Sequence, residues 1–354
     1  MKSRRLGRTS LYLPRLALGT SEWGRAISKE EAVEIMHFYT MAGGHFFDVS
    51  AHDHTGTGLG ILGDLIDSQV AREDIIIMAR GGWRKWRRNI GSIDTELGTA
   101  AQDNPYDPKK LRVTHENSRA TLAQELTETL NHIGTDYLDL WIVDEFSPST
   151  SIEEVAHHLT MAVNSGRTRY VGVCNWPVWA TVRLADLLGG GGGGSGLLTG
   201  PGLACALTEY SLLRRYPEQE LIDASQALGF GLIGYAPLAR GVLTGKYRNS
   251  TPPDSRAASQ FYAQEMSIYL TDETDRVVEA LWTAAAGLDR SAAELSLAWA
   301  RDSFGMCSTV VEPRTATQLT QLLLAENLEL PTQIRHALDE VTSQFVRPFP
   351  VPRA

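Results

Sequence analysis

The sequence predicts an α/β fold, a single (β/α)8 TIM barrel with a small N-terminal β-hairpin and long loops at the C-terminal face. Eight short apolar runs alternate with segments of helical period, and no shift of composition interrupts them along 354 residues. A chain of this length buries enough apolar surface to fold without crosslinks as one large barrel or as two ordinary domains. The unbroken alternation favours one domain over residues 1–354.

Near the start, strand-like segments flank the turn Gly7-Arg8-Thr9, which reads as a hairpin ahead of the barrel. The barrel strands are expected at 16–20, 45–48, 75–79, 137–143, 169–174, 203–207, 231–235 and 308–311. Amphipathic helices are expected near 29–42, 58–70, 115–132, 151–164, 177–188, 217–228, 272–286 and 315–325. Residues 81–113 form a connection of about 30 residues rich in Gly, Asp, Asn and Pro, and so long a loop is either a lid or disordered. Residues 189–196 open with six consecutive glycines and read as a flexible surface loop, because no helix starts behind them to make a phosphate cradle. The polar stretch 248–271 follows the seventh strand and belongs to the active-site side.

A net charge of −9 with 21% charged residues gives no electrostatic reason to expect nucleic acid as a partner. The basic stretch from Arg80 to Arg88 reads as a solvated loop of snorkelling side chains rather than an anion site. Cys174, Cys205 and Cys307 lie far apart in apolar runs, as small core residues of a reducing compartment do. With no cleavable signal and no apolar run of 18 residues, the expectation is a cytoplasmic protein, away from membranes, acting on a small soluble molecule. The oligomeric state stays open.

A barrel of this kind builds its site at the C-terminal ends of its strands. The second strand ends in Phe46-Phe47-Asp48-Val49-Ser50-Ala51-His52-Asp53-His54, two acids and two imidazoles within seven residues. Arg80 ends the third strand, Asp144 and Glu145 the fourth, Cys174-Asn175 the fifth, Glu209-Tyr210 the sixth and Tyr235 the seventh. Core packing does not account for so many charges together, although any single one would serve as a structural ion pair. Trp23, Trp83, Trp86, Trp141 and Trp176 are candidates to surround the mouth and favour an apolar ligand, or equally to be packing residues. His52 and His54 with Asp48 and Asp144 would also suit a divalent metal, but a His-x-His pair alone is a weak signal and no metal is assigned.

Several stretches together resemble the aldo-keto reductases across nearly the whole chain. They are Leu6-Gly7-Arg8-Thr9-Ser10, Gly19-Thr20, Phe47-Asp48, the run from Ile133 to Leu140, Gly172-Val173-Cys174-Asn175, Glu209-Tyr210 and the run from Tyr235 to Tyr247. The resemblance implies carbonyl reduction by NADPH with a tetrad of Asp, Tyr, Lys and His. Carried onto this sequence, Asp48 is the Asp, whereas Asp53 stands for the Tyr, Arg80 for the Lys and Asp144 for the His. An ionised carboxyl at Asp53 has no proton to donate at neutral pH, and an arginine does not titrate as a lysine does.

For the cofactor, the resemblance assigns Asn175 to the nicotinamide amide and Tyr235 to stacking. It places Leu238, Arg240, Gly241 and Lys246 near the phosphates, and Arg314 and Gln318 toward the adenosine end. Cys174, Leu207, Glu312 and Leu322 depart from the pattern, and Glu312 would repel a phosphate. NADP(H) binding therefore stays open. The leading reading is an enzyme that has left reductase chemistry for acid-base work, a dehydration, isomerisation or cyclisation of a small hydroxy-carbonyl compound through Asp48, His52, Asp53, His54, Arg80 and Asp144. One alternative is an NADPH-dependent oxidoreductase with His52 or His54 as acid, and another is a non-catalytic barrel that binds a ligand or partner.

Overall fold

The computed structural model describes residues 1–50, 57–86, 112–115, 117–189, 202–253, 255–259, 262 and 266–346, with backbone alone for 50, 83–86 and 112–115. Among them, eight parallel strands close into a barrel: β3 (Leu16–Gly19), β4 (Phe46–Ser50), β5 (Ile76–Gly81), β8 (Leu138–Asp144), β9 (Thr168–Cys174), β10 (Cys205–Glu209), β11 (Gly231–Tyr235) and β12 (Met306–Val311). β12 pairs with β3 and so closes the circle, Thr309 opposite Leu16 and Val311 opposite Leu18. The first hairpin, β1 (Ser3–Arg5) with β2 (Tyr12–Pro14), lies at the N-terminal end of β11. Gly7 makes that approach at φ 51°, and a Cβ there would stand 2.4 Å from the carbonyl oxygen of Gly229.

The surrounding helices are α1 (Lys29–Met41), α2 (Thr57–Leu65), α3 (Arg119–Ile133), α4 (Ile152–Asn164), α5 (Val178–Leu187), α6 (Leu221–Leu228), α7 (Asp272–Gly287), α8 (Ala292–Arg301), α9 (Ala316–Leu323) and α10 (Thr332–Val341). Their starts follow local chemistry. Ser28 and Ser291 form capping boxes with Glu31 and Glu294, while the Ser118, Ser151, Thr271 and Thr315 side chains accept from the first-turn backbone of α3, α4, α7 and α9. Gly134 ends α3 in the left-handed conformation.

Two expectations need correction. The described residues of the connection 81–113 include strand pairing, β6 (Trp83–Trp86) antiparallel to β7 (Arg112–His115). That pairing takes residue 115 out of the third helix, which starts at Arg119 behind the cap of Ser118. In addition, α8 precedes β12 and α10 follows α9, so the strand-helix alternation is not minimal. Of the glycine run, only Gly189 lies within the described residues.

The apolar side chains form two main layers. One lies between strands and helices; the other fills the barrel with Phe46, Met78, Leu140, Ile142, Cys174, Leu207 and Ile233 among others. No helix among the described residues is long and apolar enough to cross a membrane.

Candidate active site

Strand side chains alternate between faces with a period of two. Phe46, Met78, Ile142, Leu207 and Ile233 point into the barrel, so the residues two positions on, Asp48, Arg80, Asp144, Glu209 and Tyr235, come next on the inner face at its C-terminal mouth. This parity is what gathers the charges.

Arg80 sits at the centre. Its Nη2 donates to Asp48 Oδ2 at 2.7 Å, its Nη1 lies 3.7 Å from Asp144 Oδ2, and its guanidinium lies 5.8 Å from the centre of the Tyr235 ring. Asp48 and Asp144 are each 1% exposed and Arg80 is 8% exposed, so this triad is cut off from bulk solvent. Asp144 Oδ1 accepts from the backbone N–H of Glu145 at 3.0 Å. The chain of contacts continues as Asn175 Nδ2 donates to Glu145 Oε1 at 2.9 Å and the Tyr235 hydroxyl donates to Asn175 Oδ1 at 3.1 Å. Glu145, Asn175 and Ala236, each just past a strand end, have φ of 50°, 55° and 51°. Left-handed backbone in non-glycine residues is uncommon, and here it recurs just past the ends of β8, β9 and β11.

Burial and like charge set the proton affinities. Burial pushes the Asp48 carboxyl up against the pull of Arg80, and the charges of Glu312 and Asp144 add to the rise. Glu145 is also pushed up, by burial and by Asp144 against the hydrogen bond from Asn175. Burial, then Asp144, holds the Cys174 thiol well above its ordinary value, and burial, then Glu209, does the same for Tyr235. Among the described residues, Asp48 Oδ1 and Arg80 Nε are buried polar atoms without a hydrogen-bond partner.

The sequence-predicted residues fall into separate groups. Asp48, Arg80, Asp144, Asn175 and Tyr235 meet through the contacts above. His52, Asp53 and His54 lie outside the described residues. Ala239, Arg240 and Gly241, just after Leu238, turn through φ of 47°, 55° and 93°, and the Lys246 side chain packs against Gly241. The Arg314 backbone N–H donates to Gln318 Oε1 at 2.8 Å, at the start of α9. Among the described residues no group of three or more His, Cys, Asp and Glu side chains could hold a metal ion.

Three of the five tryptophans are packing residues. The indole of Trp141 lies in the strand-helix layer and donates to His158 Nε2 at 3.3 Å, Trp23 is fully buried in the same layer, and Trp176 packs edge-on against Phe146 at 5.2 Å. The side chains of Trp83 and Trp86 are outside the description.

Sequence reasoning missed the part played by Glu312 and its surroundings. Glu312 follows β12 and lies over Gly19, accepting from the Ser21 hydroxyl at 2.7 Å and facing Arg256 Nη2 at 3.7 Å. Arg256 also approaches Glu22 at 3.4 Å, and Glu22 in turn accepts from Tyr262 and Arg25 at 2.8 and 2.7 Å. These residues sit in loops that carry no periodic signal.

A nicotinamide dinucleotide, which the resemblance implies, fits these residues poorly. Both ends of the Asn175 amide are engaged, by Glu145 and by Tyr235. Leu207 is 1% exposed inside the barrel and offers no amide, and Glu312 fills the space above Gly19 with a carboxylate.

Comparison with known proteins agrees with this architecture. The uncharacterized oxidoreductase YrpG of Bacillus subtilis (strain 168) is 25% identical over 95% of this chain and 94% of its own length. A probable voltage-gated potassium channel subunit beta of Oryza sativa subsp. japonica is 26% identical over 96% of this chain and 95% of its own length. The L-glyceraldehyde 3-phosphate reductase of Escherichia coli (strain K12) is likewise 26% identical, over 96% of this chain and 92% of its own length. Residues 15–343 match the aldo/keto reductase family, and the chain therefore belongs to that family.

Proposed function

We propose that this chain is an enzyme that transfers protons on a small hydroxy-carbonyl compound, in a dehydration, isomerisation or cyclisation, with Asp48, Arg80 and Asp144 as its centre. The observation that carries the reading is that, among the described residues, an acceptor on Asp48 Oδ1 and a donor on Arg80 Nε are buried at the mouth without a hydrogen-bond partner. Buried polar atoms without partners call for an explanation, and a catalytic role is one. A carbonyl oxygen needs the donor; a hydroxyl or an acidic C–H needs the acceptor.

In this reading Asp48 Oδ1 takes the proton from the carbon next to the carbonyl, and the electron pair moves onto the carbonyl oxygen, where Arg80 stabilises the negative charge. An isomerisation is completed when the enolate oxygen gains a proton, the neighbouring hydroxyl gives one up and the carbon-bound proton returns to the former carbonyl carbon; a dehydration is completed when the β-hydroxyl takes up a proton and leaves as water. The second proton would come from Glu145, whose proton affinity is raised by burial and by Asp144. Asp144 and Asp48 fix the guanidinium between them, which keeps its orientation through the reaction.

Exchange of substrate C–H for deuterium tests this directly. Glyceraldehyde and dihydroxyacetone incubated in D2O without any nicotinamide are expected to gain deuterium next to the carbonyl, followed by proton NMR. Asp48→Asn is expected to slow the exchange by about 100-fold or more, the usual size of a general-base contribution. No exchange above background, or exchange untouched in a folded Asp48→Asn variant, would end the proposal.

A second reading, an NADP(H)-dependent oxidoreductase, is favoured by the left-handed turn at 239–241 with Lys246 against it and by the names of two relatives. In that reading the cofactor supplies hydride when bound. The acid would come from His52 or His54.

A further inference from the structure

We infer that Glu312 is a specificity-determining residue: its carboxylate acts as a built-in anion that pairs with Arg256 above Gly19 and closes the cofactor groove to anionic dinucleotides. For its functional meaning the inference rests on the proton-transfer reading, but it stands on a separate set of contacts. Glu312 is held from three directions. Its Cγ lies 2.4 Å from where a Cβ on Gly19 would be, its Oε1 accepts from Ser21 at 2.7 Å, and its Oε2 faces Arg256 at 3.7 Å. Only a glycine at position 19 leaves room for the carboxylate at that place.

Arg256 already faces two carboxylates of the protein through Nη2, while its Nε is a buried donor without a hydrogen-bond partner among the described residues. Its guanidinium lies between Glu312 and Glu22, and Glu22 is itself fixed by Tyr262 and Arg25. A phosphate brought to Arg256 would thus compete with two carboxylates that the protein already sets against it. The field of Glu312 also reaches Asp48, whose proton affinity it raises. One acid therefore bears on both the groove and the proposed proton acceptor. At the other end of the groove, Glu145 and Tyr235 take up the Asn175 amide, so a carboxamide arriving there competes with two existing hydrogen bonds. The ligand class this mouth accepts is accordingly small and unphosphorylated.

The test is NADPH binding to the full chain at low ionic strength, read by calorimetry and by the cofactor's fluorescence. The wild type is expected to show no saturation up to about 1 mM, and Glu312→Gly and Glu312→Gln are each expected to tighten binding at least about tenfold. The glutamine variant keeps the shape and removes only the charge, which covers the case in which the glycine variant does not fold. Saturable wild-type binding below about 0.1 mM, or folded variants that bind no better than the wild type, would overturn the inference. Deuterium exchange without nicotinamide separates the two ideas. Exchange in a protein that also binds NADPH tightly would overturn the role of Glu312 and leave proton transfer standing. Absence of exchange in a protein that refuses NADPH would do the reverse.

Discussion

Replacing Arg80 by methionine keeps most of the side-chain volume and removes the charge that holds two buried carboxyls. Asp48, 1% exposed, then loses its 2.7 Å hydrogen bond and its counter-ion, while Asp144 keeps the N–H of Glu145 and the thiol of Cys174. Breaking a buried pair from one side costs about 3–5 kcal/mol. The stranded carboxyl can escape by taking a proton, which limits its own share. From its ordinary value of 3.8, protonation at pH 7 costs about 4 kcal/mol, and at pH 5 only about 1.5 kcal/mol.

The sign follows from linkage. Without Arg80 the folded Asp48 binds its proton more tightly than the unfolded chain does. Its penalty is therefore absent below the unfolded value, grows as pH rises toward the folded value and is constant above it. Urea unfolding followed by tryptophan fluorescence should show Arg80→Met less stable than wild type by about 3–4 kcal/mol at pH 7 and by roughly half of that or less at pH 5. Asp48→Asn combined with Arg80→Met should lose less than the two single changes together, with a coupling of about 2–3 kcal/mol, because the second change removes the charge stranded by the first. A single variant within about 1 kcal/mol of wild type, or a loss that does not shrink at pH 5, would show that Asp48 and Arg80 are not a buried pair.

Two further predictions concern groups outside the mouth. Burial, with the charges of Arg167 and His157, lowers His158 to about 4 from 6.5, so its neutral form contributes about 3 kcal/mol that is complete above pH 6.5 and is lost as pH falls through 4. His158→Gln keeps an acceptor for Trp141, and its unfolding free energy should fall less than that of the wild type between pH 7 and 4.5, by about 2.5 kcal/mol; parallel losses would refute a buried neutral imidazole. Asp139 pairs with Arg72 at 2.9 Å and Arg169 at 3.1 Å and accepts from the N–H of Ile77 at 3.0 Å, joining the lower parts of β8 and β5. Asp139→Ala should destabilise by about 3 kcal/mol in urea unfolding, and a change below about 0.5 kcal/mol would mean that the buried carboxylate contributes no more than a surface pair.

The barrel was legible because its signal is repeated. Each of the eight strands is a short apolar run, and all eight appear in the structure with ends shifted by at most a few residues. Asp48, Arg80 and Asp144 were legible for the same reason, since each extends the inward-facing series of its strand by one step of two. The hairpin β6–β7 was not, because its two strands lie far apart in sequence and the Gly- and Asp-rich run between them outweighs four-residue strands in any local window. Trp141, left open between the mouth and packing, is decided by parity. Its strand leads to the mouth, but its parity is that of the outward face, one residue off the series Leu140, Ile142, Asp144, so its indole reaches His158 and never the mouth.

Glu312 marks the limit of that kind of reading. It stands one residue past Val311, where the period of two ends, so nothing in the strand pattern says which way its side chain points. Its direction is decided by a residue nearly three hundred positions away. Because Gly19 has no Cβ and β3 pairs with β12, Glu312 can lie flat over the end of β3. The acid at 312 looked, in the sequence, like a simple departure that would repel a phosphate. In the fold it is a gain: the carboxylate finds Ser21 and Arg256, and its charge reaches Asp48. Glu312, Asp48, Arg80 and Asp144 are thus one connected electrostatic system. In it burial, with the charges at 312 and 144, raises the proton affinity of Asp48, and the Arg80 guanidinium pulls against them.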